Sequence, residues 1–88
     1  MEQRKLTIDA LAALVRTQSV SCIQIYRAPG GWSVYAAHAD RGTEPTLRTR
    51  RGEIRTFRTL DAVVSEIQDC GFDGAISVDP ALPQLSRK

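Results

Sequence analysis

Few residues of this 88-residue chain could act chemically on a substrate. Its single histidine, His38, lies two positions before Asp40 and could serve as a general base. The sequence places no nucleophile beside it, and Gly30-Gly31 precedes a predicted strand rather than the helix that a phosphate-binding loop requires. No spacing of histidine and cysteine suits a metal ion. We therefore expect a protein that is not an enzyme and has no catalytic residue, metal, cofactor or small-molecule substrate.

Two cysteines, Cys22 and Cys70, could in principle form a disulfide. Small domains that depend on disulfides carry a much higher density of cysteine, so we expect two reduced thiols in half-buried positions. The sequence also contains no run of about 18 apolar residues, so it predicts no membrane span. These features favour a cytoplasmic location.

Arginine is the residue type that points most clearly to a binding partner. Six arginines between residues 41 and 58 are accompanied only by Glu44 and Glu53, whereas residues 59–79 carry five acids and no base. The net charge of +2 therefore hides a basic segment followed by an acidic one. A guanidinium group offers a planar set of donors that suits phosphates, carboxylates and aromatic faces. A GC-rich genome, which favours arginine codons, accounts for the arginine content equally well.

The elements that would position these arginines begin with a β-hairpin, predicted from alternating apolar and polar residues. It joins residues 20–26 to 32–37 through a turn rich in glycine, with Ile25 facing Val34 and with Ile23 facing Ala36 on one buried side.

A second predicted hairpin carries most of the arginines. It joins residues 46–51 to 53–58 about Gly52 and places Arg48 opposite Arg55. Like charges opposite one another are unfavourable, which favours either an anion between the two arginines or a different register.

Apolar residues at helical spacing predict two helices. The first is capped by Thr7 and ends near Gln18. The second is capped by Thr59 and ends at Gly71. We expect its inward positions to be buried against the first hairpin and Ile54; they are Leu60, Val63, Val64 and Ile67.

With a short fifth strand at 75–78, these elements give an α+β domain over residues 1–79 and a flexible C-terminal tail over 80–88. The predicted order is α-β-β-β-β-α-β, an antiparallel sheet with two helices packed on one face. Such sheets commonly expose their other face. We expect that face and its adjoining turn to gather the candidate binding residues, which are Tyr26, Tyr35, Arg48, Arg50, Arg51, Arg55 and Phe57.

Aromatic rings interleaved with arginines are typical of proteins that bind single-stranded nucleic acid, because bases stack on rings while guanidinium groups contact phosphates. Two other interpretations remain open. The face could contact a protein partner, including a second copy in a homodimer, or it could be a plain solvated surface. The partner is therefore expected to be nucleic acid or protein.

The segment from Leu47 to Ala62, continued to Cys70-Gly71-Phe72, resembles short accessory proteins of plasmids and integrated elements, some of which are partition-associated proteins of the ParC type. The resemblance implies a mobile-element context, in plasmid maintenance, regulation or the response to host defences. We therefore expect a small, non-enzymatic binding module. The alternative is a protein-binding inhibitor or adaptor directed at host machinery, for example in anti-defence.

Overall fold

Seven elements follow one another along residues 3–79, the part of the chain that the computed structural model describes. The α+β class predicted from the sequence is confirmed. The elements are strand β1 (Arg4–Leu6), helix α1 (Ile8–Arg16), strand β2 (Val20–Ala28), strand β3 (Gly31–His38), strand β4 (Thr43–Leu47), helix α2 (Leu60–Asp69) and strand β5 (Ile76–Val78). The predicted tail, residues 80–88, lies outside the described residues.

The five strands form one mixed sheet in the order β1-β4-β3-β2-β5, so the predicted antiparallel sheet is wrong. Strand β3 is antiparallel to β2 and β4, whereas β1 pairs with β4 and β5 pairs with β2 in parallel. The parallel pairs arise because α1 and α2 each return the chain across the sheet before the next strand begins. Both crossovers run in the same direction along the sheet, so the right-handed sense that such connections adopt places both helices on one face.

The hairpin of β2 and β3 has the predicted register. Ile25 pairs with Val34 and Ile23 pairs with Ala36. All four side chains are buried on the helix-covered face. The alternation predicts the register correctly because a slip of one residue would expose all four of them.

Both helices begin at the predicted caps. The Thr7 hydroxyl accepts a hydrogen bond from the N–H of Ala10, and the Thr59 hydroxyl accepts one from Ala62. Gly71 ends the second helix with a positive φ of 92°. Such a conformation favours glycine because it has no Cβ.

The core lies between the two helices and the sheet. Val63 and Ile67 are buried as predicted, while Leu60 and Val64 are partly buried against the same cluster. Ile54 was also predicted to be buried, but 41% of its surface is exposed, because the segment that carries it is not a strand of the sheet. Neither helix has the length and apolar character needed to span a bilayer.

Candidate functional site

Most of the candidate residues lie in a loop between β4 and α2. We call residues 48–58 the arginine loop, since they contain five arginines and one glutamate. The predicted second hairpin is wrong in its register: Arg48 lies opposite Ile54 instead of Arg55, in an isolated bridge. The two guanidinium groups therefore do not face each other across a ladder, and the repulsion that the sequence predicted does not arise.

The arginine loop lies at the end of the sheet where the parallel strands finish. Because β1, β2 and β4 run in the same direction, the segments that follow them meet at one end of the molecule. These segments are the start of α1, the turn between β2 and β3, and the arginine loop itself. Helix α2 begins at the same end. We call this end the arginine pole.

Arg48 fastens the loop to β4. Its Nε lies 2.8 Å from Oε2 of Glu44, and one of its terminal nitrogens donates to the carbonyl of Gly52 at 2.8 Å. Both Arg48 and Glu44 are largely shielded from solvent. The pairing neutralises this guanidinium and closes the turn around Gly52, so Arg48 holds the loop in shape.

Arg50 reaches back toward the first turn of α1. Its guanidinium lies 3.3 Å from Oδ2 of Asp9, and both side chains are more than 80% exposed. Exposed pairs of this kind contribute little, so Arg50 can exchange Asp9 for another anion. A cleft of about 160 Å³ separates the loop from the helix; it is lined by Thr7, Ile8, Asp9, Arg48, Thr49, Arg50 and Arg55.

Arg55 and Phe57 form a pair beside the start of β3. The Arg55 guanidinium lies over the Phe57 ring, 5.1 Å from its centroid. Phe57 and Trp32 exchange two backbone N–H to carbonyl bonds, each of 2.8 Å. The hydroxyl of Ser33 donates to the carbonyl of Arg55 at 2.7 Å. The backbone of this part of the loop is therefore fixed to β3.

A second pair of the same kind was missed by the sequence analysis. The guanidinium of Arg27 lies over the ring of Trp32, also 5.1 Å from its centroid. The predicted register carried the signal for it, because pairing Ile25 with Val34 places Arg27 directly opposite Trp32.

The structure separates Tyr26 and Tyr35 from Phe57, the three aromatic residues that the sequence predicts on one open face. Trp32 and Phe57 pack partly against the helix-side core. Tyr26 and Tyr35 belong to the alternate positions of β2 and β3 and therefore point to the opposite face. Tyr26 is only 3% exposed, so its predicted place on an open surface is wrong, and Tyr35 is half-buried.

The remaining polar candidates are engaged in local structure. The two ring nitrogens of His38 hydrogen-bond the carbonyl of Glu44 and the N–H of Asp40, each at 3.1 Å. Cys70 is half-buried, and burial together with the charge of Glu66 raises the pKa of its thiol. Cys22 is exposed, contrary to the prediction. Within residues 3–79 no three His, Cys, Asp or Glu side chains form a group that could hold a metal ion.

A larger cleft, of about 380 Å³, lies at the other end of α1. Its lining includes one basic residue, Arg16, and one acidic residue, Asp73, beside the ring of Phe72. This balance of charge gives no preference for an anion, in contrast to the arginine pole.

Comparison of the chain with protein-family models, with curated proteins and with solved structures finds no match. The resemblance of residues 47–62, continued to 70–72, to plasmid accessory proteins therefore stays a prediction.

Proposed function

We propose that this protein is a non-enzymatic module that binds nucleic acid through the arginine pole. One observation carries the proposal: within residues 3–79, Arg51, Arg55 and Arg58 form no ion pair with an acid, although the loop that holds them is fixed in place. Guanidinium groups that have no carboxylate partner and extend from a fixed backbone suit an external anion, and they bind phosphate with matching bidentate geometry.

The distribution of charge favours a local contact with the nucleic acid. The arginine loop has a formal charge of +4, whereas residues 59–79 carry five acids and no base. A protein that coats nucleic acid non-specifically would be basic on a much larger part of its surface. We expect binding to a few phosphates at one end of the molecule, with a correspondingly shallow salt dependence.

The biological setting is proposed from the resemblance alone. If residues 47–62 derive from plasmid accessory proteins, the binding would serve plasmid maintenance or regulation in a bacterial cytoplasm. An inhibitor or adaptor that binds a host protein is the alternative. It would use the same exposed arginines against an acidic protein surface.

Titration against labelled single-stranded and duplex oligonucleotides at two salt concentrations tests the proposal. The informative variant combines Arg51→Ala with Arg58→Ala, because both side chains are exposed and neither forms an ion pair in the described structure. The matched control combines Arg16→Ala with Arg41→Ala, which removes the same charge at the opposite end of the sheet.

We expect the loop variant to bind more weakly and with a flatter salt dependence, since each lost phosphate contact reduces the slope by about 0.7 to 0.9. The control should bind nearly as the natural sequence does. Equal effects of the two variants would show that only net charge matters. An absence of binding at low salt would refute the proposal and leave a protein partner as the alternative.

A further inference from the structure

Two arginine–aromatic pairs lie side by side at the arginine pole. Arg27 covers the ring of Trp32 and Arg55 covers the ring of Phe57, with the same separation of 5.1 Å. Trp32 and Phe57 are direct partners on neighbouring strand segments. The bridge between Trp32 and Phe57 therefore brings the two pairs next to each other, and we call the four residues Arg27, Trp32, Phe57 and Arg55 the stacking row.

The backbone beneath the stacking row is fixed. Trp32 and Phe57 exchange two hydrogen bonds of 2.8 Å. A Cβ on Gly31 would lie 2.2 Å from the carbonyl oxygen of Phe57, so only glycine allows the two segments to approach this closely. Both rings are half-buried against the core, whereas Arg27 is exposed. The row thus combines rigid rings with an accessible guanidinium group.

We propose that the stacking row binds two successive unpaired bases, so that the partner of the arginine pole is single-stranded nucleic acid. This inference rests on the proposed function and names its substrate class. Bases stack on aromatic rings and on guanidinium planes alike, and a guanidinium that already lies on a ring keeps its outer donors for phosphate. Arg27 and Arg55 can therefore hold a base and the adjoining backbone together.

The stacking row selects against duplex because stacking needs an uncovered base face. In a base-paired helix each base is covered on both faces by its neighbours, whereas the bases of a single strand can separate and stack on protein side chains.

Trp32 is the only tryptophan of the chain, so its fluorescence reports directly on the stacking row. Three probes separate the possible contacts: an oligothymidylate, a duplex of the same length and inorganic polyphosphate. We expect the oligothymidylate to quench Trp32 at saturation. The duplex and polyphosphate should bind the arginines with little change in fluorescence.

The decisive variant is Arg27→Lys, which keeps the charge but removes the planar guanidinium. It should weaken binding of oligothymidylate about 5-fold or more while leaving the salt slope and duplex binding unchanged. Arg16→Lys is the matched control and should bind as the natural sequence does. Since Arg27 is exposed, an unchanged melting temperature will verify that the variant remains folded.

Three results would overturn the inference. They are equal affinity for single strand and duplex, binding of oligothymidylate without a change at Trp32, and an Arg27→Lys variant that binds as tightly as the natural sequence. In each case nucleic acid still binds, so the proposed function stands. Failure of all three probes to bind would refute both proposals together.

Discussion

Arg48 and Arg50 lie two positions apart, yet different contacts hold them. The Arg48 guanidinium is shielded and bonded to Glu44 and to a backbone carbonyl. Arg50 has only an exposed partner in Asp9. A charged group that loses its partner in a shielded site costs far more than one in water. The two arginines therefore separate the structural role from the binding role within one loop.

Replacing Arg48 by alanine should destabilise the protein by about 1 to 3 kcal/mol, because Glu44 and the carbonyl of Gly52 would both lose their donor. Arg50→Ala should change the free energy of unfolding by less than about 0.5 kcal/mol. Urea denaturation of the two variants gives both values. Equal losses in the two variants would mean that the shielded Arg48–Glu44 pair stabilises the protein no more than the exposed Arg50–Asp9 pair does.

Asp40 organises the turn between β3 and β4. The N–H of Gly42, together with the Thr43 hydroxyl and the Arg4 guanidinium, holds the pKa of the Asp40 carboxyl below its ordinary value of 3.8. A carboxyl with a lowered pKa stabilises the folded state above its unfolded pKa, and this stabilisation is lost as the pH falls through the folded pKa.

Asp40→Asn should therefore be less stable than the natural sequence at neutral pH, and the difference should shrink below about pH 3.8. Thermal unfolding across the pH range measures the difference. Thr43→Ala removes one of the donors to this carboxyl and should show a smaller pH dependence of the same sign. A difference that stays constant down to pH 2 would contradict this account of Asp40.

At the scale of elements, alternation of apolar and polar residues predicts strand register correctly, whereas alternation among polar residues does not. The hairpin of β2 and β3 was predicted in register because its inward residues are apolar and one slip would expose them. Residues 46–58 also alternate, but mainly between threonine and arginine, so no apolar face fixes a register. Residues 46–58 contain only three apolar residues, Leu47, Ile54 and Phe57, and Ile54 is exposed.

Strand β1 was missed for a related reason. It has three residues, too few to show a period, and it is a strand only because β4 lies beside it. Without β1 the sequence shows no crossover through α1, and its pattern predicts an antiparallel sheet. The burial of Tyr26 likewise could not be predicted, because its position next to the inward Ile25 in the alternating pattern predicts an exposed side chain.

Gly31→Ala should disrupt the contact between the start of β3 and the arginine loop, on which the stacking row depends. The added Cβ would meet the carbonyl oxygen of Phe57 at 2.2 Å, so Trp32 and Phe57 could not keep their two backbone bonds. We expect a loss of about 1 to 3 kcal/mol in unfolding free energy and a shift of the Trp32 emission.

Gly30→Ala is the matched variant for this test. It shares a positive φ, of 93°, but its Cβ would meet only the Thr56 hydroxyl at 3.7 Å. It should therefore be destabilised without a comparable change in Trp32 fluorescence. An equal shift of emission in both variants would show that turn strain, rather than the approach to Phe57, controls the row.

For the whole molecule, the uneven charge along the sequence becomes an uneven charge in space. The carboxyl ends of the parallel strands, the starts of both helices and the arginine loop share one end. Helix N-termini carry a partial positive charge that adds to that of the arginines. The sequence predicted the basic character of this region but assigned it to a sheet face, because the parallel crossovers were not recognised.

The homodimer expected from the sequence stays a prediction with less to support it. The prediction rests on Tyr26, Tyr35 and Phe57 sharing one surface. In the structure they do not, since Tyr26 is buried and Phe57 packs beside the helix-side core. Among the described residues the large apolar side chains that are exposed are Ile54 and Val78. Ile54 belongs to the arginine loop, which follows β4, whereas Val78 ends β5 at the far edge of the sheet, so the two do not form one apolar patch that calls for a second copy.

Asp9 forms an exposed ion pair with Arg50 at the arginine pole, so it should limit the affinity for nucleic acid. Its side chain lies 3.3 Å from the Arg50 guanidinium and would face an incoming phosphate. Asp9→Asn removes this repulsion and frees Arg50. We expect binding to oligonucleotides to tighten by about 0.5 to 1 kcal/mol at low salt, or about two- to fivefold, with the gain fading as salt screens the charges. Asp73→Asn makes the same change in net charge beside the cleft at the other end of α1 and should leave the affinity almost unchanged. If the two variants bind equally tightly, net charge alone governs the affinity and the arginine pole has no special part in it.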